Sequence, residues 1–266
     1  MKKNEKKVVI VTGASKGIGR ATAELFASFG HIVYGLSRSE PKGDHGFKSV
    51  ICDVTDGEAV KRVFESVYAE NGAIDCVINN AGAGIAGAVE NTSDEAVDGL
   101  IDLNLKAVER TSRIALGYLR ESRGTIINLS SVAAVMPIAF QTYYSATKAA
   151  VLVFTRALAQ EVKPLGVKVT AVLPGDTKTS FTASRLIENG DSVYKERVDR
   201  SVARMAKDEQ NGASPEKVAK VVYKAFSARR AKPYYVVGAM YKLICVLGGI
   251  LPAGFVDRVL YKLYAK

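Results

Sequence analysis

Runs of apolar residues and helically spaced apolar stripes alternate along this chain from its start. Val8 to Val11 is apolar at every position, the pattern of a strand covered on both faces. Residues 17–29 then repeat apolar side chains at helical spacing through Ile18, Ala21, Leu25 and Phe29, and Gly30 supplies the stop. A second strand begins at His31 and reaches Leu36. The next connection, SEPKGDHGF, is too short for a crossover helix, so a loop or single turn leads to a strand at Ser49 to Cys52. A helix near 57–70 and a strand from Ile74 to Ile78 follow, the latter running into Asn79, Asn80, Ala81 and Gly82. The next helix starts near Ser93, with Thr92 and Glu95 as a capping pair. Gly124 to Leu129 reads as a strand. A helix from about Thr142 halts at Lys163 before Pro164, and a strand from Val167 to Leu173 closes on Pro174 and Gly175. Residues 176–213 are polar and irregular apart from an amphipathic stretch through Val198, Val202 and Met205. Ser214 and Pro215 open another helix, and Tyr234 to Val237 reads as the last strand.

Strands that alternate with helices predict an α/β fold with a parallel sheet. The 266 residues, 48% hydrophobic and 24% charged, suit one compact domain with an appendage, which divides the chain into a domain at 1–238 and an extension at 239–266. Three cysteines without CxxC spacing and two histidines predict a reducing compartment and no metal. Cys52 and Cys76 fall on strands and read as core, His31 and His45 as surface residues. The apolar run after MKKNEKK is too brief for a signal-peptide core, so a cytoplasmic protein is expected.

The first strand runs into TGASKGIG and then a helix, the setting of a phosphate-binding turn. Gly13, Gly17 and Gly19 permit tight backbone geometry there. Their spacing departs from GxGxxG, so an ordinary structural turn is the rival reading. About twenty residues further on, the dinucleotide rule looks for an acid on a ribose diol or a cation on a 2′-phosphate. The chain has Ser37 and Arg38 at that point, Lys16 within the glycine turn, and Glu40 as a competing acid slightly late. The two cations favour NADP(H) over NAD(H).

The segment LSSVAAVMPIAFQTYYSATK holds two serines, two tyrosines and a lysine. At about 100° per helical residue, Tyr144 and Lys148 lie about 40° apart, whereas Tyr143 and Lys148 differ by about 140°. Tyr144 is therefore the candidate. A phenol titrates near about 10 in water and needs a neighbouring cation to act as a base at neutral pH. Ser130 and Ser131 follow a strand at the carboxyl edge, where a hydroxyl can donate to a substrate carbonyl; one of the two faces the site and the other packs or caps.

Together TGASKGIG, the Asn79 to Gly82 run, Asn104 within DLNLKA, a serine thirteen residues before YSATK, and Pro174-Gly175 followed by Thr179 resemble the short-chain dehydrogenases/reductases over residues 7 to about 238. Members acting on hydroxysteroids and on 3-oxoacyl carrier-protein substrates are the nearest in pattern. The resemblance implies a Rossmann-type, doubly wound, mostly parallel seven-stranded sheet with helices on both faces. It selects Ser131 as the hydroxyl that polarises the carbonyl and Tyr144 as general acid in reduction and general base in oxidation. It gives Lys148 the tasks of lowering the tyrosine pKa and holding the nicotinamide ribose, and Asn104 that of positioning a proton-relay water. Gly13, Ser15, Gly17, Ile18 and Gly19 would line the pyrophosphate and adenosine side, Asp53 would reach the adenine, and Asn80 and Gly82 the adenosine ribose side. Pro174 and Gly175 would also bind the cofactor, with Thr179 on its carboxamide. Rival readings stay open: Asp53 capping a turn, Asn79 or Asn80 tying strands, Thr177 in place of Thr179, and Asn104 solvated, although its place between Leu103 and Leu105 asks for a partner.

The formal charge is +10, and residues 215–266 hold ten Lys/Arg against two acidic residues. Only 14 uncharged residues separate Lys242 from Asp257, short of the roughly 18 to 20 that span a bilayer. The extension thus reads as a helical cover over the cleft or on a neighbouring subunit, as an interfacial anchor on anionic lipid, or as a site for an acidic carrier protein. Its apolar character speaks against nucleic acid. A lipophilic carbonyl or alcohol, steroid-like, retinoid-like or fatty acyl, is the expected substrate, with residues 180–212 as the specificity loop and a homodimer or homotetramer as the family's usual assembly. The competing function is an NADPH-binding scaffold or sensor recruited to a membrane or partner, for which the Ser131, Tyr144 and Lys148 set would have no use.

Overall fold

The computed structural model describes residues 5–179, 181, 184–188 and 193–266. Residues 180, 182–183 and 189–192 of the expected specificity loop lie outside them. Strands β1 to β9 run Val8–Thr12, Ile32–Ser37, Lys48–Ile51, Cys76–Asn79, Ile85–Gly87, Thr125–Leu129, Lys168–Leu173, Leu186–Glu188 and Tyr234–Val236. Helices α1 to α9 run Gly17–Ser28, Gly57–Asn71, Asp94–Ile101, Ala107–Ser122, Thr142–Glu161, Lys195–Gln210, Pro215–Ser227, Ala239–Ile250 and Ala253–Tyr264.

Seven strands form one sheet in the order β3-β2-β1-β4-β6-β7-β9, and every pairing is parallel. The chain builds outward from β1 to β3, returns to β4 on the other side of β1, and continues to β9. That reversal opens a crevice beyond the carboxyl ends of β1 and β4, where open α/β sheets bind ligands. The two-stranded pairing of β5 with β8 is additional to the expected strands.

The unbroken apolar run of β1 has a direct explanation. Val8 and Ile10 join the core beneath α2, α4 and α5 with Phe64 and Leu119, while Val9 and Val11 join the opposite core beneath α1 and α7 with Phe26 and Val222. With both faces covered, no position is left for a polar side chain. Phe26 and Phe64 are fully buried, each contributing about 1.5–3 kcal/mol relative to exposure.

Caps follow local chemistry. Asp56 Oδ1 accepts from the N–H groups of Glu58 and Ala59 at the start of α2, and Gly72 ends it in the left-handed conformation. Ser214 caps α7 with Pro215 in its first turn. The α3 cap lies one residue later than the expected pair: Ser93 accepts from the Ala96 N–H, while Thr92 donates to the Ala88 carbonyl. His31 also departs from expectation. It is buried among Phe26, Tyr223 and Phe226 because the Gly30 turn tucks the start of β2 under the α1–α7 pair, and burial lowers its pKa.

Candidate active site

The turn after β1 is locked from three sides. The Gly13 N–H donates to Leu36 O at 2.7 Å, and Asn80 Nδ2 donates to Thr12 O at 2.9 Å and Gly13 O at 3.3 Å. Thr12 Oγ1 accepts from the N–H groups of Asn80 and Ala81, each at 3.0 Å. Gly13 sits at φ 69°, and a Cβ there would come within 2.9 Å of Ala81 Cα. A Cβ on Gly19 would overlap the Gly13 carbonyl oxygen. Only glycines leave this wall bare. Lys16 precedes α1 without capping it through its side chain, so the first N–H groups of the helix are available to an anion. A cradle of this shape fits a diphosphate. Asn80 thereby acts on the turn itself, and its neighbour Asn79 ties β4 to Asn128 and Ser112 at 2.8 and 3.0 Å.

From this turn a cavity of about 650 Å³ extends in both directions. At one end lie Lys16, Ser37, Arg38 and Asp53. Asp53 Oδ1 accepts from the Thr55 N–H at 2.9 Å and its hydroxyl at 2.8 Å, so it does cap a turn while bordering the cavity. The Thr55 N–H, aided by the Thr55 hydroxyl and Arg38, holds its carboxyl below the usual range against the effect of burial. Ser15, Gly17, Ile18 and Gly82 also line the cavity; Glu40 is absent from the described lining.

In the middle, β6 and α5 bring the catalytic candidates together. Both serines border the cavity; the Ser130 hydroxyl is committed to Lys148 O at 2.7 Å, whereas Ser131 accepts from the Ala133 N–H at 3.1 Å and hydrogen-bonds Tyr144. Tyr144 lines the cavity and Tyr143 does not. Lys148 Nζ lies 5.7 Å from the Tyr144 ring centroid and donates to Leu129 O at 3.0 Å. Burial is the largest influence on the Tyr144 phenol and pushes it up; the hydrogen bond with Ser131 pulls it down. The expected lowering by Lys148 is not what this arrangement displays, because the lysine is turned to a carbonyl and burial lowers its own pKa to about 8.

Asn104 has the partner its apolar flanks ask for. It occupies a π-helical turn, Asp102–Lys106, between α3 and α4, where an added residue rotates its amide inward. Its Oδ1 accepts from the Ala83 N–H at 2.8 Å, and Nδ2 donates to Ala83 O at 2.9 Å and Thr147 Oγ1 at 3.2 Å. A Cβ on Gly82 would stand 3.1 Å from Asn104 Oδ1 and 3.4 Å from Lys148 Nζ, so the glycine keeps the space between them open. Pro174 and Gly175 close β7 on the cavity. Thr177 donates to Gly175 O at 3.0 Å, and Thr179 Oγ1 accepts from the Phe181 N–H at 3.1 Å; both line the cavity.

The other end is roofed by the C-terminal helices. Ile244 of α8 and Val256, Leu260 and Leu263 of α9 form an apolar wall. Beneath it sits a polar group absent from the sequence reading: Gln141, Asp176, Arg185, Glu209 and Tyr241. They come from separate segments of the chain, so no local spacing announces them.

Comparison with known proteins gives a consistent result. The family model for short chain dehydrogenases matches residues 7–190. The chain is 38% identical over 231 residues to a 3-ketodihydrosphingosine reductase of Bacteroides thetaiotaomicron, covering 85% of this chain and 86% of that protein. It is 38% identical over 187 residues to a 3-oxoacyl-[acyl-carrier-protein] reductase of Vibrio harveyi, covering 67% and 76%. The crystal structure of a short-chain dehydrogenase from Streptomyces avermitilis superposes with a TM-score of 0.83 at 29% identity, covering 98% and 97% of the two chains.

Proposed function

This chain belongs to the short-chain dehydrogenase family, an oxidoreductase fold that works with a nicotinamide dinucleotide, and from that premise we propose that it is an NADPH-dependent reductase of a 3-oxo group on a long-chain lipid. The observation that carries the reading is the meeting of Ser131, Tyr144 and Lys148 between a bare glycine cradle and an apolar chamber. The names of the two sequence relatives share a 3-oxo group on an aliphatic chain, which favours the fatty-acyl class over steroid-like and retinoid-like carbonyls.

When bound, the nicotinamide supplies hydride to carbon or takes it away. Ser131 donates a hydrogen bond to the carbonyl oxygen and holds it against Tyr144. Tyr144 passes its phenolic proton to that oxygen as negative charge develops there. A phenol raised by burial stays protonated at neutral pH, the state that reduction requires. Lys148 supports the developing phenolate as an ammonium, and Asn104 fixes the Ala83 backbone beside it. Pro174, Gly175 and Thr179 border the nicotinamide side. Lys16 and Arg38 supply cations for a 2′-phosphate, which is the support for NADPH.

The C-terminal helices complete the reading. Leu251, Phe255 and Val259 line the cavity and are exposed as well, so its rim is apolar. Met240, Leu243, Val246 and Ile250 continue that surface outward, flanked by Lys242, Arg258 and Lys262. No helix among the described residues is long and apolar enough to cross a membrane. Peripheral contact with anionic lipid suits this combination of an apolar face and basic flanks. Assembly into a dimer or tetramer belongs to the same reading, with exposed Val153 on α5 available for subunit contact.

The deciding experiment follows NADPH oxidation with long-chain 3-oxo substrates. Tyr144→Phe is expected to lower kcat about 10³-fold while NADPH binding, measured by fluorescence titration, persists. Wild-type rates in that variant, or no turnover of any 3-oxo lipid by the native protein, would reject the proposal.

A further inference from the structure

Arg185 is a deeply enclosed cation of the cavity, with 1% of its side chain exposed. Its Nη2 pairs with Glu209, and Gln141, with its amide oxygen turned inward, accepts from Nη2 and Nε at 3.3 Å each. Its Nη1 is buried and has no partner among the described residues. A guanidinium held on one edge by two side chains thus keeps two N–H donors unused, and a buried unused donor is costly unless a ligand accepts from it. Asp176 stands in the same chamber, where Tyr241 of α8 donates to its Oδ2. Burial, Asp208 and Glu209 push the Asp176 carboxyl up, while Tyr241 and Arg185 oppose them.

The charge balance selects among ligands. Glu209 already neutralises Arg185, and Lys148, the cation on the Tyr144 side, is turned to Leu129 O, so Asp176 leaves the roofed end with a negative charge of its own. An acidic head group meets repulsion there, and an ammonium meets attraction. The Phe181 ring stands between Tyr144 and Arg185, 5.8 Å from the Tyr144 ring and 6.0 Å from the Arg185 guanidinium carbon, which sets the chamber next to the Tyr144 phenol. A long-chain 2-amino-3-ketone with a 1-hydroxyl carries an ammonium and a hydroxyl within two carbons of its carbonyl. A 3-oxoacyl thioester carries neither.

We propose that Asp176 and Arg185 form a head-group subsite for such an amino ketone, with Asp176 receiving the ammonium and Arg185 Nη1 donating to the hydroxyl. The assignment rests on the reductase reading and narrows its substrate from a 3-oxo lipid to a 3-oxo long-chain base. Tyr241 ties the subsite to the roof, so the helix that walls the aliphatic chain also holds the acid that reads the head.

The test uses the full-length protein with NADPH and four ketones of equal chain length: 3-ketodihydrosphingosine, its N-acetyl derivative, its 1-deoxy analogue, and a 3-oxoacyl N-acetylcysteamine thioester. The native protein is expected to favour the free amine over the N-acetyl ketone in kcat/KM by about 30-fold, the scale of a buried charge contact. In Asp176→Asn that ratio collapses toward one, chiefly through the KM of the amine. In Arg185→Lys, which keeps the charge and removes the fork, the preference for the hydroxylated base over its 1-deoxy analogue collapses instead. Equal use of the amine and its N-acetyl derivative by the native protein overturns the subsite, and that measurement needs no variant. Turnover of the thioester alone overturns the subsite and keeps the reductase, whereas turnover of none rejects the reductase reading itself.

Discussion

The two ends of the cavity solve recognition in opposite ways. The cofactor end is made of backbone: Gly13, Gly17 and the first N–H groups of α1 present bare peptide, packed down on Gly19 and clamped by Asn80 and Thr12. The substrate end is made of side chains from α5, the residues just before β8, α6, α8 and α9, with apolar walls around a buried charged group. A diphosphate is small and carries its acceptors on a compact frame, so main-chain donors at a helix start can hold it from a short contiguous stretch. A lipid head and chain require a particular shape, which only side chains assembled from distant segments can provide.

The comparison breaks most visibly at Gly19. Gly19→Ala places a Cβ on the Gly13 carbonyl oxygen and forces the turn open, so NADPH affinity is expected to fall about 100-fold or more in a fluorescence titration. The folded chamber at the other end should survive, which a thermal melt would verify. Normal affinity in this variant would mean that the turn is not the anion cradle. Arg38→Glu probes the outer edge of the same end. Loss of one charge-assisted contact predicts that the preference for NADPH over NADH drops about 10- to 100-fold, read from the ratio of the two kcat/KM values.

Lys148 stands between the two ends and carries a stability cost for its position. Its folded pKa of about 8 lies below its ordinary value of 10.5, so the unfolded chain binds more protons between those values and stability rises with pH across that window. Below about pH 8 the full cost of the buried ammonium is present. Lys148→Met should therefore stabilise the protein at pH 7 by about 2 kcal/mol, after the lost hydrogen bond to Leu129 O is allowed for, while removing activity. The advantage should vanish toward pH 10.5, as denaturant melts at several pH values would reveal. The smallest effect is expected at the roof: Val256→Trp fills part of the apolar wall and should raise KM about tenfold for a long-chain ketone and less for a short one.

Much of the molecule is legible in its sequence, because it depends on contacts close along the chain. The β1 run is apolar at every position since both faces are covered, and the four-residue step from Tyr144 to Lys148 puts both on one side of α5 whatever surrounds it. Ser130 and Ser131 show where local reading stops. A strand alternates sides, so the two hydroxyls diverge, but only the packing of α5 reveals that Ser130 is spent on the Lys148 carbonyl while Ser131 meets Tyr144. His31 looks like a surface residue by its local sequence and is buried for the same kind of reason, since the cover over its ring comes from α7.

Sequence alone determined the periodicities, the glycine turn and the Tyr144–Lys148 step, each set by backbone geometry over a few residues. Tertiary structure decided the π turn that aims Asn104 at Ala83, the folding of α8 and α9 over the cleft, and the meeting of Arg185 with Glu209 and of Asp176 with Tyr241. Those contacts join segments far apart along the chain, and their energies depend on burial that exists only once the whole domain has closed around them.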